Sequence, residues 1–419
     1  MNSCNTKEQK ASRTLFFVCW IVYAIVCMTK NAYSASMVSI IGEGFLTKSL
    51  AGTINASYYV FYGGAQLLLV KLVDKISPVK LINMALFGAL VSMVGFAVAD
   101  NFYVMLILWS VTGFLQFAIW PAVIRIMSEY LVPEHRGKAM IYIAFAYCTG
   151  MLANYGAASL ILNFSGWRMI FNVFFILLIF TSLLWIITAK KTMPVLEYNV
   201  GKVENPKTTQ NTQTEQNNKT STWKILVSSG IVLMLIPSFI RTMMDMGLKS
   251  WVPTMITENY GTSPSFASAL TTILLLVNLS GIYIVNAVYP KFIKNEAVCF
   301  GFCFVLALPF TLLLLLTGTI PVVVAVVLLT LVTTLMYSGH QLINVIIPSK
   351  FASMNLSGGV ASILNAVASF GAVAATFGFG YLADNYGWTA TIMSWSIMAV
   401  LAAVFAFMSS GLWKRFLKS

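Results

Sequence analysis

Long apolar segments recur along almost the whole chain, and they restrict the fold more than any other feature of the sequence. A bilayer core about 30 Å thick needs roughly 20 apolar residues in a helix. Segments of about that length lie near residues 14–40, 50–73, 81–99, 103–127, 138–162, 169–189, 225–253, 264–289, 296–317, 319–347, 358–383 and 388–411. Only 9% of the residues are charged, whereas soluble domains carry about 25%. The sequence therefore predicts an all-α integral membrane protein with twelve transmembrane helices.

A polar stretch separates the first six segments from the last six. It contains the run KTTQNTQTEQNNKTST, which is too poor in apolar residues to bury a core. We predict a flexible linker there. In chain order, the predicted regions are an N-terminus at 1–13, an N-terminal six-helix bundle at 14–189, the linker at 190–224, a C-terminal six-helix bundle at 225–411 and a tail at 412–419.

Lysine and arginine indicate the orientation, because cytoplasmic loops of membrane proteins carry an excess of both. With the N-terminus inside, the segments on the opposite side of the membrane hold only Lys48 and Arg168. This asymmetry places both termini and the linker in the cytoplasm. The formal net charge of +13 lies mainly in these connecting segments, where it suits anionic lipid, so no nucleic-acid partner is predicted.

The two halves repeat weakly. Gly137 lies before the fifth span and Trp167 follows that span, and Gly358 and Trp388 stand at the same separation around the eleventh. Further sequence features resemble one family, the organophosphate:phosphate antiporters and related sugar-phosphate permeases of the major facilitator superfamily. They are GFLQ at 113–116, WP at 120–121, Arg125, PEHRG at 133–137, DKISP at 74–78 and WVPT at 251–254.

The resemblance implies two pseudo-symmetric six-helix bundles around a central cleft, and transport by alternating access. It also implies a monomer in a bacterial inner membrane. That family holds phosphate with one arginine in each of the first and seventh helices. The first position falls at Lys30, with Tyr23 in step, or at Thr29 after a slip of one residue. The second falls at Asp245, one helical turn beyond Arg241. This difference does not favour organophosphate exchange.

Lys30, Arg241 and Asp245 are charged residues inside the predicted spans. Each charge near the middle of a membrane costs about 2.5–3.5 kcal/mol on insertion scales. Arg241 and Asp245 share a helix face through their i,i+4 spacing. In one interpretation Lys30 and Arg241 hold an anionic group, and Asp245 binds a cationic group or a coupling proton. In the other, Arg241 and Asp245 form a structural ion pair and Lys30 snorkels or completes it.

Neutral polar residues in the spans give further candidates for substrate binding. Hydroxyl and amide groups orient a polar ligand without a full charge, but they also serve as hydrogen bonds between membrane helices. Asn55, Tyr59, Tyr62 and Gln66 form one stripe on the second span. The family's fifth-helix histidine and second-helix lysine fall at Tyr147 and Gln66. The other candidates are Asn154, Asn365, Ser369 and His340, and a bond from His340 to a neighbouring carbonyl is the simpler interpretation.

A group of charged residues gathers at the cytoplasmic ends of the second to fifth spans, and the resemblance implies that it forms a gating latch. The residues are Asp74, Arg125, Glu129, Glu134 and Arg136. Such a latch holds one conformation and breaks in another.

No nucleophile–base arrangement, H-E-x-x-H or G-x-x-x-x-G-K-[ST] occurs, so we predict no catalytic residue, metal, cofactor or enzyme activity. We predict a secondary transporter for a small anionic or zwitterionic metabolite, such as an organic acid, sugar acid or sugar phosphate. Its partners are the bilayer, the substrate and a coupling proton or counter-substrate. The alternatives are a membrane sensor that binds without flux and a multidrug efflux carrier, against which Lys30 and Arg241 argue.

Overall fold

The structure, a computed structural model, describes residues 6–69, 76–196, 222–351 and 357–417. Packing divides the chain into two compact units. The first unit comprises residues 1–36 and 61–215, and the second comprises residues 37–60 and 216–419. Residues 37–60 therefore pack with the second half of the sequence, although they belong to the predicted N-terminal bundle.

The described residues before 197 form a series of helices. They are α1 (Thr6–Lys30), α2 (Ala32–Gly42), α3 (Lys48–Leu68), α4 (Pro78–Val98), α5 (Phe102–Gln116), α6 (Ile119–Arg125), α7 (Pro133–Leu162) and α8 (Arg168–Leu196). A π-helical turn at Ile126–Tyr130 continues α6.

The described residues after 221 form a second series. They are α9 (Thr222–Ser228), α10 (Ile231–Tyr260), α11 (Pro264–Asn278), α12 (Ser280–Val288), α13 (Glu296–Leu313), α14 (Val322–Gln341), α15 (Ile347–Ser349) and α16 (Ser357–Phe416). π-Helical turns at Tyr289–Ile293 and Leu342–Ile346 continue α12 and α14, and a 3-10 turn at Leu314–Leu316 ends α13.

Ten segments of the described chain are long and apolar enough to cross a membrane. The last of them, Ala366–Phe416, includes Gly387, where φ of 79° and ψ of 177° interrupt the helix. A positive φ favours glycine, so this break separates the predicted eleventh and twelfth spans. The remaining span is α3, whose 21 residues include many polar ones. The predicted twelve-helix membrane fold is therefore confirmed.

Two predicted boundaries are wrong. The seventh span does not end at Pro253, because α10 continues to Tyr260 and stops at Gly261 with φ of 63°. Membrane helices tolerate proline where neighbouring groups satisfy the backbone. The linker does not begin at residue 190, because α8 continues through Leu196. The rest of the predicted linker, up to residue 221, lies outside the described residues.

In the first unit, α1 packs against α7 and α8. Gly150 of α7 permits the close approach, since a Cβ there would lie 2.2 Å from the carbonyl oxygen of Ala24. Aromatic rings fill the core between the helices: the Phe96 ring lies 5.5 Å from Tyr33, 5.2 Å from Trp109 and 5.0 Å from Phe171. These buried rings supply apolar area and favourable ring geometry, and they pack α2, α4, α5 and α8 against one another.

Helix α10 is the centre of the second unit and packs against α16, α11 and α14. From Gly247 to Ile256 every residue of α10 is buried. A helix that is buried on all sides can carry charged side chains only where other groups compensate them. The charged residues of α10 therefore restrict what this unit can do.

Candidate functional site

Three charged residues form a row along α10. Lys249 Nζ lies 2.7 Å and 2.9 Å from the two carboxylate oxygens of Asp245, and Arg241 Nη1 lies 3.9 Å from Asp245 Oδ2. Each side chain is only 3% exposed. Spacings of four residues align the three on one helix face. We call Arg241, Asp245 and Lys249 the α10 charge row.

The row has two cations and one carboxylate. Breaking a buried ion pair costs about 3–5 kcal/mol, because the remaining charge has lost its compensation. Asp245 compensates Lys249 through a short, two-oxygen contact, while its contact with Arg241 is longer. Arg241 also donates from Nη2 to Thr242 Oγ1 at 2.5 Å. The row therefore carries a formal excess of one positive charge, which favours an anionic ligand.

Helix α14 brings aromatic and amide groups to the same place. Lys249 Nζ lies 4.8 Å from the centre of the Tyr337 ring, a distance at which the ring face attracts a cation. The Tyr337 and His340 rings stack at 5.9 Å, and Asn344 Nδ2 lies 2.7 Å from His340 Nδ1. A Cβ at Gly339 would lie 3.4 Å from Arg241 Cδ. Helix α14 thus lines the α10 charge row with groups able to orient a polar ligand.

His340 bonds an asparagine side chain in this structure, rather than the neighbouring carbonyl that we considered the simpler interpretation. Arg241, Asp245 and Lys249 lie close enough to act electrostatically on its ring. Asp245 also acts electrostatically on Tyr59. The structure therefore brings four predicted site residues together in the second unit: Arg241, Asp245, His340 and Tyr59.

In the first unit, Lys30 is the last residue of α1, where the helix dipole favours a cation. Its Nζ lies 4.6 Å from the centre of the Tyr62 ring. Tyr23 packs its ring 5.1 Å from Trp120, and Tyr62 and Tyr147 lie near enough to Tyr23 to act electrostatically on it. Lys30, Tyr23, Tyr62 and Tyr147 therefore form a second cluster, which we call the Lys30 cluster.

An interruption of the helix between α1 and α2 gives Lys30 its position. Helix α1 ends at Lys30 and α2 begins at Ala32. At the break, Asn31 Nδ2 donates to the carbonyl of Cys27 at 2.7 Å, and the fully buried Asn154 donates to the carbonyl of Asn31 at 3.0 Å. Asn154 thus stabilises the interruption between α1 and α2. Hydrogen bonding between helices was the alternative to substrate binding for the neutral polar residues in the spans.

Other predicted site residues have less to support them. Gln66 is half-buried on α3. Asn55 contacts Ser250 Oγ at 3.5 Å through its Nδ2, so it belongs to helix packing in the second unit. Asn365 lies in α16, but its side chain is outside the described residues.

The predicted gating residues have mixed positions. Arg125 Nε lies 3.5 Å from Glu129 Oε1, and Arg125 Nη1 donates to the carbonyl of Ile76 at 2.8 Å. Arg136 donates to the backbone carbonyls of Leu131 and Glu129. Glu134 accepts from Gln9 at 3.3 Å. Asp74 lies outside the described residues. The ion pair and the backbone contacts hold these loops together, and gating remains a prediction.

A second charged contact was not predicted. Lys48, at the start of α3, lies 3.2 Å and 3.1 Å from the two carboxylate oxygens of Glu258. Trp388 Nε1 donates to Glu258 at 2.7 Å, and the backbone nitrogen of Ser49 donates to Asp384 at 3.1 Å. We call these residues the Lys48 clasp. It joins the start of α3 to the end of α10 and to α16, all within the second unit.

Close backbone packing supports the clasp. A Cβ on Gly52 would lie 2.3 Å from the carbonyl oxygen of Thr376, and one on Gly380 would lie 2.7 Å from the carbonyl oxygen of Lys48. Trp251 fills the space beside both glycines and donates from Nε1 to the carbonyl of Thr376 at 3.3 Å. Small residues permit such contacts between membrane helices.

Lys249, Tyr337 and the residues of the Lys48 clasp were not among the predicted site residues. Continuing the i,i+4 row from Asp245 would have found Lys249. Tyr337 carries no charge and no spacing that separates it from ordinary core tyrosines. The partner of Lys48 lies 210 residues away, so local spacing could not have identified it.

Residues 19–351 match the sequence model of the family described as the Major Facilitator Superfamily. The chain belongs to the major facilitator superfamily. A solved member of similar structure is a bacterial homolog of the human lysosomal transporter Spinster in an inward-facing, unoccupied conformation. The TM-score is 0.80, with 13% identity and 99% of each chain covered. The predicted facilitator fold is thus confirmed, and the chain is a multi-pass membrane protein.

Curated relatives within the superfamily are distant. The membrane sensor protein UhpC of Salmonella typhimurium is 22% identical over 125 residues, which are 30% of this chain and 28% of that protein. A probable hexose phosphate transport protein of Chlamydia trachomatis serovar D is 18% identical over 154 residues, 37% of this chain and 34% of that protein. The alignments span about a third of either relative. They agree with the predicted resemblance to sugar-phosphate permeases.

Proposed function

We propose that this facilitator is a secondary active transporter that carries a small organic anion or zwitterion by alternating access, and that the α10 charge row binds the substrate. The observation that carries the proposal is the excess positive charge of the row, buried in the membrane and lined by Tyr337 and His340. An organic acid, a sugar acid or a sugar phosphate meets this requirement. The similarity to a probable hexose phosphate transport protein supports the phosphorylated class, while the missing arginine pair favours a carboxylate.

The Lys30 cluster supports the same charge preference. It adds a half-buried cation among tyrosine hydroxyls, and we propose Lys30, Tyr23, Tyr62 and Tyr147 as further substrate-binding residues. We also propose a monomer in a bacterial inner membrane with both termini in the cytoplasm. In that orientation the Lys48 clasp lies at the outer end, and Arg125, Glu129, Glu134 and Arg136 lie at the cytoplasmic end, as the two gates.

Uptake into proteoliposomes tests the proposed function. The substrates are radiolabelled gluconate, malate, glucose 6-phosphate and glutamate. We expect one of these anions to accumulate, and we expect Arg241→Ala and Lys30→Ala to abolish its uptake while the proteins remain folded. Unimpaired uptake in both variants would place the site elsewhere.

A coupling proton is proposed for Asp245. When an anion binds Lys249, the Asp245 carboxylate loses the cation that mainly compensates its charge. Protonation of the carboxylate then removes this buried negative charge. Asp245→Asn should therefore flatten the pH dependence of uptake. The matched control is Asp100→Asn, which removes a carboxylate whose side chain is 82% exposed. An unchanged pH profile in Asp245→Asn would assign Asp245 a structural role.

A sensor is the second candidate, because the relative UhpC is a membrane sensor protein. A sensor binds its ligand without moving it. Binding of an anion to the purified protein, combined with no uptake or exchange in proteoliposomes, would favour the sensor.

A further inference from the structure

The start of α1 presents a basic stripe that substrate binding does not use. The exposed residues of its first three turns include Lys7, Lys10, Arg13 and Phe17, and they line a shallow depression of about 610 Å³. Spacings of three and four residues place them on neighbouring positions of one helix face. The stripe combines three cations with an aromatic ring that is 62% exposed.

The opposite face of this helix segment is held in place by α7 and the residue before it. Ser12 is fully buried; its Oγ accepts from the backbone nitrogen of Val132 at 3.3 Å and lies 2.9 Å from His135 Nδ1. Gln9 donates to Glu134 at 3.3 Å. The basic stripe is therefore presented on a fixed helix, at a constant depth relative to the rest of the first unit.

The field at this edge of the first unit is positive. Burial lowers the pKa of His135 below its ordinary value of 6.5, and the charges of Arg13 and Lys138 lower it further, while Glu134 opposes them. Lys138 is exposed and adds a further cation at this edge of the first unit.

The depth of the stripe identifies the kind of anion. Phe17 lies seven residues beyond Lys10, or about 10 Å along a helix, and the polar zone on each side of a bilayer is about 5–8 Å thick. When the cations lie among the headgroups, Phe17 therefore reaches the acyl chains. Ile21, also exposed, continues the apolar surface one turn deeper. A ligand that fits carries a negative headgroup above hydrocarbon chains.

We propose that Lys7, Lys10 and Arg13 form a binding site for the headgroup of an anionic phospholipid, with Phe17 against its acyl chains. Each Lys or Arg near the membrane surface contributes about 1 kcal/mol to binding anionic lipid, and each 1.4 kcal/mol is tenfold in affinity. Removing two cations should therefore weaken binding by about 30-fold.

Native mass spectrometry of the full-length protein in detergent, titrated with phosphatidylglycerol or phosphatidylcholine of identical acyl chains, tests the site. We expect wild type to prefer phosphatidylglycerol. Lys10→Gln/Arg13→Gln should lose about 30-fold of that affinity with phosphatidylcholine binding unchanged. The matched control is Lys190→Gln/Lys191→Gln, which removes two exposed cations at the end of α8 in the same unit and should bind as wild type does.

Three outcomes would overturn the proposal. The first is equal affinity of wild type for the two lipids, and the second is an equal loss in the control variant. The third is displacement of phosphatidylglycerol by equimolar glycerol 1-phosphate, which would make this a site for free anions. If the test variant unfolds, the affinity of wild type for phosphatidylglycerol is measured at low and high salt instead, because salt screens contacts between exposed charges. Phosphatidylglycerol affinity that does not fall with salt would contradict the proposal.

Discussion

Replacing Lys249 by alanine is expected to abolish transport and to lower the free energy of unfolding by about 3–5 kcal/mol. The reason is that Asp245, 3% exposed, would lose its contact at 2.7 Å and keep only that with Arg241 at 3.9 Å. Thermal unfolding in detergent and uptake into proteoliposomes measure the two effects. Lys80→Ala, which removes an exposed lysine, is the control and should change neither.

A double variant separates stability from function. Lys249→Ala/Asp245→Asn removes both charges, so no buried carboxylate is left without its partner. We expect it to regain part of the lost stability, since Arg241 also loses its contact with the Asp245 carboxylate at 3.9 Å. We do not expect it to regain transport, because the lysine that would contact the substrate is absent. Transport at the wild-type rate in the double variant would show that the pair is only structural.

Gly52→Val should have a large effect on the Lys48 clasp, which close packing at Gly52 supports. A Cβ at this position would lie 2.3 Å from the carbonyl oxygen of Thr376. This oxygen belongs to the backbone, so it cannot relieve the clash by a change of rotamer as a side chain can. Overpacking costs about 1–3 kcal/mol, which is roughly a 5- to 150-fold shift between conformations. The clasp should open, and uptake should fall because the transporter no longer closes at this end.

Labelling reports the opening of the clasp directly. Ser250, which is buried and contacts Asn55, is changed to cysteine, and peptide mass spectrometry follows its reaction with a membrane-impermeant maleimide. Labelling should be faster in combination with Gly52→Val than with Gly64→Val. Gly64 is the matched control on α3, where a Cβ meets no atom within 4 Å. Equal labelling rates in the two variants would argue against the clasp as a gate.

The membrane fold could be predicted from the sequence because apolar length is a local property that the bilayer imposes on every span. Ends of helices were less predictable. The seventh span was expected to end at Pro253, but α10 continues to Tyr260. Helix α8 runs past Lys190, and Thr192, Met193 and Leu196 of this extension are buried. Neither error changed the number of spans.

The residues of the candidate site that could be predicted from the sequence are charged residues within an apolar segment. Arg241 and Asp245 stood out for that reason, and their spacing indicated contact. Lys249 is in the same row and lies close to the expected end of the span at Pro253, and it was not among the predicted site residues. The Lys48 clasp depends on residues far apart in sequence, and only the folded chain shows that Glu258 and Trp388 meet Lys48. Asn154 was predicted to bind substrate because it is polar and lies inside a span. In the structure it donates a hydrogen bond to the carbonyl of Asn31 and stabilises the interruption of the helix there.

Thermal-shift measurements on wild type and Arg241→Gln test whether the α10 charge row binds an organic anion. Each anion is paired with a neutral counterpart, such as gluconate with sorbitol and glucose 6-phosphate with glucose. We expect an anion to raise the unfolding temperature of wild type, its neutral counterpart to leave that temperature unchanged, and Arg241→Gln to lose the response. An equal response to the neutral compound, or a response that survives in Arg241→Gln, would contradict binding of an anion by the row.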